Sequence, residues 1–77
     1  MITAYVLVEG APGKNVKNVR DQIRNIKGAV SAELVTGPYD IVVQVQAKEM
    51  NDLTQIVTDK LLSIKGVGKT ITLVVIS

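Results

Sequence analysis

Apolar residues fall at every second position from Ile2 to Glu9, with Ile2, Ala4, Val6 and Val8 on one side and Thr3, Tyr5 and Leu7 on the other. That period of two predicts a strand. Gly10-Ala11-Pro12-Gly13 breaks it. From Lys14 the period lengthens: Val16, Val19, Ile23 and Ile26 are spaced as one stripe of a helix, with Gly28 as its stop. Ala29 to Val35 predicts a second strand, in which Val30, Ala32 and Leu34 alternate. A Thr36-Gly37-Pro38 turn leads into a third strand, Tyr39 to Ala47, with Ile41, Val43 and Val45 on one side and Asp40, Val42, Gln44 and Gln46 on the other. A second helix is expected from about Glu49, carrying Met50, Leu53, Val57, Leu61 and Ile64, and stopped at Gly66. Thr70 to Ile76 predicts the last strand, Ile71, Leu73 and Val75 alternating with Thr70, Thr72 and Val74.

The predicted order is βαββαβ, and an internal echo supports it. Ile26-Lys27-Gly28 closes the first helix and Ile64-Lys65-Gly66 the second, with Val19, Asp21 and Ile23 upstream matching Val57, Asp59 and Leu61. Two similar βαβ halves build the ferredoxin-like fold, an α+β architecture with a four-stranded antiparallel sheet and two helices on one face. The other face is then expected to present Tyr5, Leu7, Val42, Val74 and Ile76 among Thr3, Gln44, Gln46, Thr70 and Thr72. That mixture is too apolar for bulk water and too polar for a dry core, which points to a sheet-to-sheet contact with another subunit.

Composition narrows the chemistry. Seventy-seven residues bound the chain to one domain, 1–77, whose core alone gives marginal stability. Neither cysteine nor histidine is present, so disulfides, thiolate metal sites and the usual general base are excluded, and self-association is the expected source of extra burial. No cofactor is expected. The N-terminus lacks a basic segment, and no apolar run reaches the roughly 20 residues of a membrane span. A cytoplasmic protein is therefore expected, with no membrane partner. The net charge of +2 is too mild to argue for a nucleic-acid partner.

Catalytic patterns are also missing. The Glu9–Asn15 loop precedes a helix, as the anion-binding loop of acylphosphatases does, but it holds no arginine. Metal carriers of this fold need a Cys-x-x-Cys. Lys14, Lys17, Arg20, Arg24 and Lys27 form a basic stripe on the first helix, which reads as its solvated face with phosphate binding as the alternative. RNA-binding domains of this order stack bases on aromatics of the central strands, where Tyr5 is the one candidate. An enzyme is not expected.

Thr36-Gly37-Pro38-Tyr39-Asp40 remains. Pro38 suits the second position of a turn and Gly37 supplies backbone freedom. Asp40 either bonds nearby N–H groups or offers its carboxylate to a ligand on the uncovered face, with Thr70 and Thr72 as hydroxyl donors on that same face. Such a set suits an amino acid: the acid side chain for the ammonium, donors for the carboxylate.

TGPYD leading into IVVQVQAKEMNDL, a helix ending IKGV and a final TITLVV strand together resemble the C-terminal effector-binding (RAM) domain of the Lrp/AsnC family of leucine-responsive regulators. The resemblance covers essentially the whole chain. It implies a dimeric α+β barrel closed through the sheets, with dimers assembling into larger rings, often octamers, and a small amino acid bound between dimers. Matched residue by residue, Gly37, Tyr39 and Asp40 stand for the hairpin part of the effector site and Thr70 and Thr72 for the last-strand part. Met50 and Asp52 match the start of the second helix less closely. Full-length members carry a DNA-binding helix-turn-helix before this domain, whereas residue 2 here already begins a strand. A stand-alone version is thus expected, with no direct DNA binding. Its expected function is amino-acid binding and oligomerisation. The alternatives are a ligand-free structural partner of full-length regulators, or a small nucleic-acid binder using the basic stripe.

Overall fold

A computed structural model describes all residues, 1–77. The order is β1 (Ile2–Gly10), α1 (Val16–Arg24), β2 (Ala29–Leu34), β3 (Ile41–Ala47), α2 (Met50–Gln55, continued as a π-helical segment Ile56–Leu61) and β4 (Val67–Val74). The strands form one antiparallel sheet in the order β2-β3-β1-β4. This is the expected ferredoxin-like arrangement.

Alternation places the core. Ala4, Val6 and Val8 of β1 pair with Val45, Val43 and Ile41 of β3, and all six are buried. Their partners across the second layer are Val19 and Ile23 of α1, and Leu53, Ile56 and Leu61 of the second helix. α1 packs chiefly over β2 and β3, and α2 over β3. Full burial of an aliphatic side chain such as Ile23 contributes about 1.5–3 kcal/mol, so this small aliphatic cluster carries most of the stability.

Both helices depart from expectation. α1 begins at Val16, because Asn15 caps it by accepting from the N–H groups of Lys17 (3.0 Å) and Asn18 (3.2 Å). It ends at Arg24 rather than running to Gly28, and tight turns cover the gap. In the second helix Ile56, not Val57, fills the core, and Met50 is 51% exposed. Ile56 and Leu61 are five residues apart, which an α-helix would place on different faces. The wider π turn, with its i→i+5 bonding, stacks them on one.

The IKG echo is a structural repeat. The Ala29 N–H donates to the Ile26 carbonyl (3.1 Å) and the Val67 N–H to the Ile64 carbonyl (3.3 Å). Gly28 and Gly66 take φ values of 103° and 101°, the left-handed position that a type II turn requires of its third residue.

Candidate functional site

Site geometry starts at the hairpin between β2 and β3. Val35 donates its N–H to the Asp40 carbonyl (2.8 Å), closing Thr36–Tyr39 into a four-residue loop. Gly37 sits at φ 132° with open space around it, so the backbone conformation and not crowding selects glycine. Pro38 is exposed and Tyr39 half-buried.

Asp40 ties this hairpin to the central strand. Its N–H donates to the Val8 carbonyl (2.9 Å), and its Oδ2 accepts from the Gly10 N–H (2.8 Å). The carboxylate thus prolongs the β1–β3 ladder where β3 itself stops. Sequence reasoning anticipated bonds to nearby N–H groups, but the donor lies thirty residues upstream. Asp40 is half-buried, and a carboxylate with one such bond retains acceptor capacity at Oδ1 and at its remaining lone pairs.

The threonines are placed differently from expectation. Thr70 pairs with Val8 and Thr72 with Val6, so both share the helix-side face of the sheet and not the uncovered one. Directly paired residues in an antiparallel sheet point the same way, and Val6 and Val8 point into the core. Ile71 and Leu73, paired with Leu7 and Tyr5, take the uncovered face in place of Val74 and Ile76. The reason is lateral position. β4 is the edge strand beyond the main helical cover, so its helix-side residues Thr72 and Val74 stay exposed. The strand's own alternation separates Ile71 and Leu73 from Thr70 and Thr72 but does not say which set faces the helices.

Val8 nevertheless pairs with Ile41 on one side and Thr70 on the other, which brings the hairpin and the start of β4 to the same end of the sheet. Two strand spacings, about 10 Å, separate them. Gly37, Tyr39 and Asp40 therefore form one local group, and Thr70 and Thr72 a second, two strands away at the same end. Asp52 and Met50 lie at the start of α2, beyond the other end of β3.

The uncovered face presents Thr3, Tyr5, Leu7, Val42, Gln44, Gln46, Ile71 and Leu73. Tyr5, Ile71 and Leu73 are 39%, 42% and 51% exposed. The basic stripe is partly used within the fold: Arg20 pairs with Asp21 (3.1 Å), and Arg24 donates to the Ala32 carbonyl (3.1 Å) and meets Glu33 (3.4 Å). No helix is long and apolar enough to cross a membrane.

Residues 3–77 match the family model described as the Lrp/AsnC ligand binding domain. An uncharacterised HTH-type transcriptional regulator of Pyrococcus furiosus is 40% identical over 74 residues, which are 94% of this chain and 49% of the relative. The chain thus spans about half the length of the curated relatives it matches. Among solved structures, a Thermus thermophilus protein superimposes with a TM-score of 0.92 at 36% identity, covering 100% of this chain and 95% of that one. A Neisseria meningitidis transcriptional regulator, solved in complex with L-methionine, superimposes with a TM-score of 0.83 at 25% identity, covering 99% of this chain and 50% of that one. With its βαββαβ sheet, its TGPYD hairpin and a family match over nearly every residue, the chain belongs to the Lrp/AsnC family as a ligand-binding domain of its transcriptional regulators.

Proposed function

We propose that this domain is a non-catalytic, cytoplasmic module that binds a small amino acid and couples binding to the assembly of its own dimers. The observation that carries this is Asp40: a half-buried carboxylate, fixed by the Gly10 N–H, with acceptor capacity left at the rim of an open hairpin. Such a group is pre-organised to take an ammonium. Gly37 and Tyr39 would frame the ligand from the same hairpin. Thr70 and Thr72 face the helix side of the edge strand, so they would serve a ligand through a neighbouring dimer rather than beside Asp40 of their own chain. The L-methionine complex of the Neisseria relative supports an amino-acid effector.

The dimer would form through the uncovered face, where Tyr5, Leu7, Ile71 and Leu73 cluster in the middle of the sheet and its β4 side. Ligand preference for one assembly state then shifts the oligomer by mass action. The match covers 95% and 92% of two solved chains, so in those chains the domain stands nearly alone. Isothermal titration with the twenty amino acids, alongside light scattering, tests the proposal. Heat with at least one amino acid, lost in Asp40→Ala while the circular dichroism stays unchanged, is the expected result. No heat with any of them, and a monomer at every concentration, would overturn it.

The bond from Gly10 to Asp40 also favours a second reading, in which the carboxylate is wholly structural and the domain joins full-length relatives as a ligand-free partner. Capture from native cytoplasm would then recover a DNA-binding relative, and Asp40→Ala would lower stability without touching any ligand.

A further inference from the structure

At the end of the sheet away from the hairpin, a cavity of about 420 Å³ opens between the Lys27-Gly28 turn, the end of β3 and the second helix. Its volume lies in the small-molecule range. Lys27, Lys48 and Lys60 line it together with Gln46, Gln55 and one carboxylate, Asp52. The two ion pairs of the molecule join Arg20 to Asp21 and Arg24 to Glu33, so none of the three ammonium groups is neutralised by a carboxylate within 4.0 Å, Asp52 included. The N–H groups of Gly28 and Lys48 donate to no acceptor in the chain. Three segments thus bring positive charge and spare donors around one concavity.

We propose that this cavity binds a small phosphate monoester. Compact lysine ammoniums bind phosphate as point charges, and three of them draw a phosphate more strongly than a singly charged carboxylate. A phosphate near neutral pH carries between one and two negative charges, which answers the positive surplus of three lysines over one aspartate. The glutamine amides add neutral donors, and Asp52 accepts from a hydroxyl on the organic part. Part of the wall, Ile56 and Lys60, comes from the π-helical segment, a conformation that recurs at functional sites. Gly28 is required here: a Cβ on it would lie 2.5 Å from Ile56 Cδ1, on a residue that also lines the cavity.

The site is separate from the amino-acid reading. β3 runs seven residues from the Asp40 end to Ala47, roughly 20 Å. Nuclear magnetic resonance of the ¹⁵N-labelled chain, titrated with inorganic phosphate and with glycerol 3-phosphate, tests the proposal, with acetate as control. Saturable shifts at the amides of Gly28, Lys48, Asp52 and Lys60 are expected, with phosphate binding at or below about 1 mM. Lys48→Gln and Lys60→Gln should each weaken it about three- to tenfold. Asp52→Asn should tighten inorganic phosphate while removing the advantage of the glycerol hydroxyls. Lys69→Gln should leave phosphate binding unchanged. Shifts that acetate reproduces, equal weakening by Lys69→Gln, or tighter competing binding of a short DNA duplex would each overturn the assignment.

Discussion

The two βαβ halves share a plan and differ in how well each is covered. In both, a helix gives way to Ile-Lys-Gly, and a glycine near φ +100° turns the chain into a strand. The turns are exchanged across the core: Gly28 of the first half packs against Ile56 of the second, and Gly66 of the second against Val19 of the first. Yet the first helix is regular and capped by Asn15, while the second has no side-chain cap and widens into a π segment. The strands after the turns also part company. Both are edge strands with exposed apolar residues, but β2 buries Ala32 under α1, whereas β4 buries no residue and is exposed on both of its faces. A repeated sequence signal can therefore specify a repeated turn without specifying repeated burial, because burial depends on what lies opposite.

Substitution can break that comparison at several levels. The largest contrast is between Ile23, fully buried on the inner face of the first helix, and Leu73, exposed on β4. Ile23→Ala should cost about 2–5 kcal/mol in urea unfolding at any protein concentration. Leu73→Ala should cost no more than about 0.5 kcal/mol in dilute monomer and substantially more as concentration rises. A concentration-independent result for Leu73 would mean that this face does not associate.

Next come the two turns. Gly28→Ala and Gly66→Ala place a Cβ 2.5 Å from Ile56 Cδ1 and 2.6 Å from Val19 Cγ2, at a φ that L side chains rarely adopt. Each should lose about 1–3 kcal/mol, by similar amounts. Unequal losses would show that the echo is one of sequence and not of energetics. The helix starts give a smaller contrast. Asn15→Ala should destabilise by about 1 kcal/mol, and Glu49→Ala, at the uncapped start, by no more than about 0.5 kcal/mol, both read from thermal melts. Smallest is the exposed pair: Arg24→Ala should cost under about 1 kcal/mol, with its ionic part lost at high salt.

Much of this was legible in the residues. Alternation located all four strands, since Val6 and Val43 belong to runs long enough to define a period, and the glycine stops located the turns. The second helix was only partly legible, because a spacing of five between Ile56 and Leu61 fits no α-helical stripe, and Val57 offered a more regular one. At the candidate site, TGPYD was visible as a turn with a carboxylate, but the Gly10 partner of Asp40 was not. A bond across thirty residues follows from strand pairing, which no local pattern encodes.

What the chain alone determined is its local grammar: which residues alternate, where glycine must turn the backbone, that the core is aliphatic, and that chemistry needing cysteine or histidine is absent. Those features depend on a residue and its near neighbours. The tertiary structure decided the facing of β4, and with it the turn of Thr70 and Thr72 toward the helix side. The row of Ile71 and Leu73 suits a core or an interface equally, so its facing is open until the register with β1 is set, and its place at the sheet edge leaves neither side covered within one chain. Tertiary contacts also gathered Lys27, Lys48 and Lys60, from three separate segments, around one cavity. Their charges are ordinary in sequence and become a candidate site only where the fold brings them together.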